Sequence, residues 1–347
     1  MNIVILFGGS SYEHEISIVS AITLKKVLKN ANLSFVFVDS NREFYLIETD
    51  NMKSNYFANG SYKKTKKLIL KQGGFFTEGI FGAKKQNLGV VLNLIHGRDG
   101  EDGKIASLLE FNSIDYISPR VDASVLSYNK LYTKLYAQSL GVKVVPYTLL
   151  NFDDSRDIEL DYPVIIKPVR LGSSIGVSIV KEQSELDYAL DVAFEFDNQV
   201  IIEPFINGVL EYNQAGCKTD DFELSIIEEP NKEEFLDFDK KYLDFSRDAK
   251  VMDADISDEL RAKIQNSFKK IYGTLFEGSI IRCDFFVVDN EVLLNEINPI
   301  PGSMANYLFE DFSGMINRLI NHLPKEPKIQ INYSYINSIQ SAKGGKV

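Results

Sequence analysis

The segment from Gly278 to Asn298 constrains this chain more than any other. Gly278–Val288 reads as a strand, Asp289-Asn290 is a turn signal, and Glu291–Ile297 returns as its partner, the pattern of a β-hairpin. Arg282 and Asp284 are two apart and share a face, and Glu296 and Asn298 do the same on the return strand. If the strands pair, the four side chains converge. Hard cations such as Mg²⁺ take carboxylate and amide oxygens, and Mg²⁺ usually reaches a protein through one or two carboxylates plus substrate phosphates. The hairpin therefore reads as a site for a metal-bound nucleotide. The same spacing also describes a solvated strand face with an ordinary ion pair.

At 347 residues, 44% hydrophobic and 25% charged, the chain is an ordinary globular protein, too long for one compact core, and several domains are expected. A formal net charge of -11 argues against a nucleic-acid binder that works by neutralising phosphates. Lys63, Lys64, Lys66, Lys67 and Lys71 form a local basic patch, read as a solvated edge or loop whose lysines discourage strand pairing. The two cysteines, Cys217 and Cys283, show neither a pairing pattern nor Cys-His metal spacing, which suits a reducing compartment. No apolar stretch approaches a membrane span and no signal-peptide pattern opens the chain, so the cytoplasm is expected, with no membrane partner.

The first third alternates strands and helices. Asn2–Phe7 reads as a strand, a helix carries Ile16, Val19, Ile22 and Val27, and Ser34–Val38 is a second strand, the βαβ pattern of a parallel sheet. Leu88–Ile95 is a continuous apolar run, as in a strand buried on both faces. It delivers the loop His96–Gly103 at the carboxyl edge where open parallel sheets bind ligands. A helix is expected over Ser124–Leu140, stopped by Gly141. Strands dominate from Pro163 onward, with helices near Glu182–Glu195 and Ser257–Tyr272. Glu228–Lys250 is polar, highly charged and aperiodic, the pattern of a long loop or lid.

The common nucleotide motifs are missing. Phe7–Ser11 lacks G-x-G-x-x-G spacing, which removes the basis for a nicotinamide-dependent dehydrogenase, and the segment ending at Gly103-Lys104 lacks both the first glycine and the Ser or Thr of a P-loop. The glycine-rich segment that stands out runs from Val164 to Val177. A buried strand ends at Lys167, and Gly172, Ser173, Ser174 and Gly176 then expose backbone N–H groups and hydroxyls suited to phosphate oxygens. A lysine after an apolar run needs an anionic partner.

Lys167-Pro168 with Gly172-Ser173-Ser174-Ile175-Gly176, the hairpin Arg282–Asn298, the loop His96-Gly97-x-x-Gly100-Glu101-Asp102-Gly103 and the opening Gly8–Ser17 together resemble the D-alanine–D-alanine ligases of the ATP-grasp superfamily. The match runs from Asn2 to about Gly302. The resemblance implies an α/β chain with α+β elements and a three-domain ATP-grasp fold. A Rossmann-like amino-terminal domain would span 1–120, a central ATP-grasp subdomain 121–207, and a carboxyl-terminal domain with the lid 208–347.

The chemistry it implies is activation of a carboxylate by ATP followed by attack of an amine, through an acyl phosphate and a tetrahedral intermediate. Lys130, Lys167 and the loop around Ser174 would bind the phosphates, with Lys241 in the nucleotide-binding set. Asp284, Glu296 and Asn298 would hold two Mg²⁺ ions, and Arg282, helped by N–H groups near Gly302, would stabilise negative charge. Glu203 and the backbone at Ile206 would contact adenine, and Glu211 the ribose. Glu15 would orient the first D-alanine's ammonium in a triad with Ser173 and Tyr242. The family's dimeric habit implies a homodimer. Two departures stand out. Ser303–Leu308 replaces the segment that receives the acceptor carboxylate, and Val169 and Leu171 replace more polar residues beside the glycine-rich loop. The expected activity is ligation of two D-alanines for peptidoglycan precursors. The alternatives are a related ligase with D-serine or D-lactate as acceptor, or a non-catalytic nucleotide-binding protein of the same fold.

Overall fold

The computed structural model describes residues 2–80, 82–230, 251–325 and 327–342, and builds them on three sheets. The first has eight strands. Its parallel core pairs Asn2–Gly8 with Asn32–Val38 on one side and with Val90–Asn93 on the other, and Tyr116–Ile117 extends it in parallel. The period of two sorts the first strand's side chains: Ile3, Ile5 and Phe7 pack with Ile18, Ala21 and Leu24 of the helix His14–Val27, while Val4 and Leu6 pack with Ile105, Ala106 and Leu109 of Lys104–Phe111. Burial on both faces explains why these strands read as continuous apolar runs.

Beyond Asn32–Val38 the sheet continues as an antiparallel meander through Phe44–Ile47, Lys66–Lys71, Gly74–Gly79 and Gly82–Gln86. The basic patch therefore lies partly on an interior strand and not at an edge. Lys66 and Lys67 are exposed while Leu68 is buried, and Lys67 pairs with Glu43 at 2.6 Å.

The second sheet is antiparallel, in the order Thr148–Asn151, Gln199–Pro204, Val164–Pro168, Ser178–Val180. One face packs Val164, Ile166, Val200 and Ile202 against Leu186 and Leu190 of the helix Leu186–Phe194. Alternation puts Lys167 and Glu203 on the other face, and the register Ile165 opposite Glu203 makes them diagonal neighbours.

The third sheet runs Phe222–Glu228, Leu210–Lys218, Ile281–Val288, Glu291–Asn298, Lys143–Val144, antiparallel except for its last pairing. Cys283, Phe285, Leu294 and Ile297 face a core with Ile264, Phe268 and Tyr272 of the helix Asp258–Tyr272, whose first turn is capped by Ser257. Ala123, Ala137, Val142 and Val144 belong to this same cluster, so residues 121–144 pack on the third sheet.

The expected helix Ser124–Leu140 is two helices, Val121–Tyr128 and Lys130–Ser139. Asn129 between them is extended (φ -105°, ψ 112°) and its side chain accepts from the Tyr132 N–H, so a cap interrupts what hydropathy alone joins. This break places Lys130 at the first position of a new helix. Among the described residues no helix is long and apolar enough to cross a membrane.

Candidate active site

The three sheets meet at one cleft. The hairpin pairs as its sequence requires, with Arg282 opposite Asn298 and Asp284 opposite Glu296, joined through Asp289 and Asn290, both at positive φ. It also holds an irregularity invisible to a period-two reading. The register shifts after Asp284, so that Phe285 faces Leu294 and Asn295 is the extra residue. That bulge lets Leu294 and Ile297 both enter the core while Glu296 and Asn298 face Arg282 and Asp284. Arg282 donates to both oxygens of Asp284, from Nε at 2.7 Å and NH2 at 2.8 Å, and Asn298 donates to Asp284 Oδ2 at 2.9 Å.

Asp284, Glu296 and Asn298 thus lie side by side as two carboxylates and an amide, a hard-oxygen donor set that fits Mg²⁺. The described residues contain no group of three or more His, Cys, Asp or Glu side chains able to hold a metal. A cation here would complete its shell from phosphate and water.

Lys130 and Lys167 approach this hairpin from the other elements. Lys130 Nζ donates to the Leu171 carbonyl at 2.6 Å and lies 4.0 Å from Glu296 Oε2. Lys167 Nζ donates to Asn295 Oδ1 at 3.3 Å and pairs with Glu203 Oε2 at 2.8 Å. The loop after Lys167 carries Ser173 and Ser174 at φ 57° and 58°, a left-handed pair of non-glycine residues. Both oxygens of Glu203 pair with ammonium groups, Lys134 on Oε1 and Lys167 on Oε2, each at 2.8 Å. Ile206 is half-buried in the turn closed by Val209 N–H on its carbonyl, and Glu211 is half-buried on the strand Leu210–Lys218, opposite Phe286.

At the amino-terminal sheet the structure corrects one residue. Ser173 Oγ donates to Glu13 Oε1, not to Glu15. Glu13 is buried at the entry to the helix His14–Val27, and Glu15 on its first turn is exposed. Two helical positions rotate a side chain by about 200°, so the pair point opposite ways. Burial, with the charge of Glu101 second, pushes Glu13 up to about 7. Glu13 Oε2 is buried without a hydrogen-bond partner among the described residues. Gly97 (φ 67°) makes room for it, because a Cβ there would collide with Glu13 Oε2 and Ser11 Oγ.

Glu101 and His96 line the same wall. Burial pushes Glu101 up to about 8, and the His96 ring stands 3.7 Å from Glu101 and 3.1 Å from Ser20 Oγ, with burial drawing its pKa down. Ser20 Oγ accepts the Ser303 N–H at 3.0 Å, and Met304 N–H is donated to the Pro301 carbonyl at 2.7 Å. Of the N–H groups near Gly302 these two are therefore already committed. A Cβ built on Gly302 meets nothing within 4 Å, so the space beside it is open. Ser303, Met304 and Ala305 continue at φ 47°, 55° and 50°, three left-handed non-glycine residues in succession. Further on, Tyr307 Oη donates to Glu228 Oε2 at 3.3 Å. Tyr242 and Lys241 lie outside the described residues, as does most of the expected lid.

A cleft between two largely antiparallel sheets, with Lys167 on one wall and Lys130 and an acidic, amide-bearing hairpin on the other, defines the class: an ATP-grasp enzyme with a Rossmann-like first domain. The "D-ala D-ala ligase N-terminus" family model matches residues 2–119 and the "D-ala D-ala ligase C-terminus" model residues 136–316, and the chain belongs to that family. It is 69% identical over 344 residues to a D-alanine–D-alanine ligase of Sulfurovum sp. (strain NBC37-1), covering 99% of each chain. Among solved structures it is similar to the D-alanine–D-alanine ligase of Helicobacter pylori, with 52% identity, a TM-score of 0.85, and 94% of this chain and 100% of that one covered. The VanG D-Ala:D-Ser ligase of Enterococcus faecalis is similar at 26% identity and a TM-score of 0.75, over 92% of this chain and 98% of that one.

Proposed function

We infer that this chain joins two D-alanines to D-alanyl-D-alanine, converting ATP to ADP and phosphate, for cell-wall precursor synthesis. The observation that carries the reading is convergence. Glu13 meets Ser173, Lys130 reaches Glu296, Lys167 reaches Asn295, and Arg282 meets Asp284, so the entry of the first helix, the loop after Lys167, the helix Lys130–Ser139 and the hairpin converge on one cleft.

In this reading Glu13 takes the place expected of Glu15. Its buried carboxylate, fixed by Ser173 Oγ, receives the ammonium of the first D-alanine and so aims that substrate's carboxylate at the γ-phosphate. Lys130, Lys167 and the N–H groups at Ser174 hold the phosphates while the carboxylate oxygen attacks phosphorus and ADP leaves. Asp284, Glu296 and Asn298 would hold two Mg²⁺ ions, which when bound neutralise charge on the transferring phosphoryl group. The amine of the second D-alanine then attacks the acyl carbon, loses a proton, and phosphate departs. Arg282 and the Gly302 N–H stabilise the oxyanion of that step. Backbone groups of 203–206 would contact adenine and Glu211 the ribose, with Lys241 in the nucleotide-binding set and Tyr242 in the triad with Ser173.

The three-domain division at 1–120, 121–207 and 208–347 is supported by the three sheets, although helices 121–139 pack on the third. A cytoplasmic homodimer is proposed as well. The homodimer is supported by the exposed Val125 and Tyr132, which line an open cavity of about 530 Å³ with Val121 and Leu126, an apolar surface that a second copy would cover. Size-exclusion chromatography with light scattering tests this, and a monomer at micromolar concentration refutes it.

The acceptor is the one point where a second reading has an observation behind it. Tyr307, within the altered segment Ser303–Leu308, and Glu228 bonded to it place a hydroxyl and a carboxylate there, and such polar groups would favour D-serine. The discriminating experiment incubates the enzyme with ATP, Mg²⁺ and D-alanine against equimolar D-serine or D-lactate, and identifies products by mass. Predominant D-alanyl-D-alanine supports the reading. Predominant mixed product overturns it.

A further inference from the structure

Lys134 stands outside the roles just described. It lies one turn beyond Lys130 on the helix Lys130–Ser139, so the two share a face. Its side chain is 1% exposed, among the largest fully buried side chains of the molecule. Nζ donates to the Val145 carbonyl at 3.2 Å and pairs with Glu203 Oε1 at 2.8 Å. Lys167 pairs with the other oxygen of the same carboxylate at the same distance.

One carboxylate, 2% exposed, thus serves two ammonium groups, and the trio carries a net positive charge. A buried ion pair is a poor source of stability, because desolvation offsets most of the attraction. Its geometric effect is clearer. Burial opposes the charge on both Glu203 and Lys134, yet the two lysines together hold the Glu203 carboxyl below its ordinary range. With Lys134 removed, Glu203 and Lys167 would form a closed neutral pair, and Lys167 would have no charge in excess of its partner's.

We propose that Lys134 is a positioning residue for phosphoryl transfer: by holding Glu203 Oε1 it fixes the carboxylate and leaves the Lys167 ammonium with uncompensated charge for the nucleotide's phosphates. The inference rests on the reading of Lys167 as a phosphate ligand, and the test separates the two. Lys134→Met, Lys167→Met, Glu203→Gln and the double variant Lys134→Met/Glu203→Gln are compared for kcat, for KM with ATP and with D-alanine, and for melting temperature.

Lys134→Met is expected to raise KM for ATP roughly tenfold, the loss of about one charge-assisted contact, while KM for D-alanine stays within about twofold. Adding Glu203→Gln should recover part of that loss, because the neutral amide no longer captures Lys167. A purely structural lysine would instead lower the melting temperature, leave KM for ATP unchanged, and gain nothing from the second substitution, which overturns the proposal. If Lys167→Met also leaves KM for ATP unchanged, the phosphate role of Lys167 fails and the inference falls with it. Should Lys134→Met not fold because it leaves Glu203 Oε1 buried without its partner, the substitution is read in the Glu203→Gln background. There coupling through Glu203 predicts little further change in KM for ATP, and a full tenfold rise would contradict it.

Discussion

Replacing Glu13 with Gln should abolish ligation and stabilise the fold at alkaline pH. Burial, with the Glu101 charge second, pushes the carboxyl up to about 7 from an ordinary 4.5, against the opposing hydrogen bond from Ser173. In the unfolded chain Glu13 releases its proton near 4.5, whereas the folded chain keeps it to about 7. Across that interval the folded state therefore binds more protons, and stability falls as pH rises. Above about 7 the full difference applies, about 3 kcal/mol at 1.36 kcal/mol per pKa unit. Gln keeps the shape and the Ser173 contact without the charge. Urea melts of both proteins at pH 5 and pH 8 measure the effect. The variant should gain up to about 3 kcal/mol at pH 8 and little at pH 5, while D-alanine turnover is lost at both. Equal destabilisation at the two pH values would refute the argument, because it would mean that the ionised carboxylate contributes favourably to the apo fold.

Three further outcomes follow from the same geometry. Asp284→Asn removes a proposed cation ligand and the Arg282 partner together, and steady-state kinetics should show a loss of kcat/KM beyond the roughly 10–100-fold typical of outer-shell changes. Chelation with EDTA should stop ADP release, and added Mg²⁺ or Mn²⁺ should restore it; unimpaired release in EDTA would contradict the hard-cation site. Gly97→Ala forces a Cβ onto Glu13 at positive φ and should cost on the order of 1–3 kcal/mol in a denaturant melt, with KM for D-alanine raised.

The parts of the site legible in sequence were those that depend on local periodicity. A hairpin with a two-residue turn fixes which residues face each other, so Arg282, Asp284, Glu296 and Asn298 could be placed together before any tertiary contact was known. The Asn295 bulge was not legible, because an alternating pattern carries no mark of one extra residue. Choosing between Glu13 and Glu15 required the phase of a helix whose first turn begins between them, and only the Ser173 contact, 160 positions away, decides it. Nothing in the sequence around Lys134 sets it apart from a surface helix lysine. Its ammonium meets the Val145 carbonyl just past the strand Lys143–Val144 and Glu203 on the strand Gln199–Pro204, a property of tertiary packing that residue type does not encode. The helix break at Asn129 was readable in principle, since Asn followed by a helix is a cap signal.

The central claim is that this cleft activates one D-alanine with ATP and passes it to another. It is tested most directly by measuring ADP release with ATP and Mg²⁺ in the presence of D-alanine, L-alanine or neither, with products identified by mass. The account predicts ADP and D-alanyl-D-alanine in equal amounts with D-alanine, and neither with L-alanine or without amino acid. ADP release without dipeptide, or no release with D-alanine at any concentration, would contradict it.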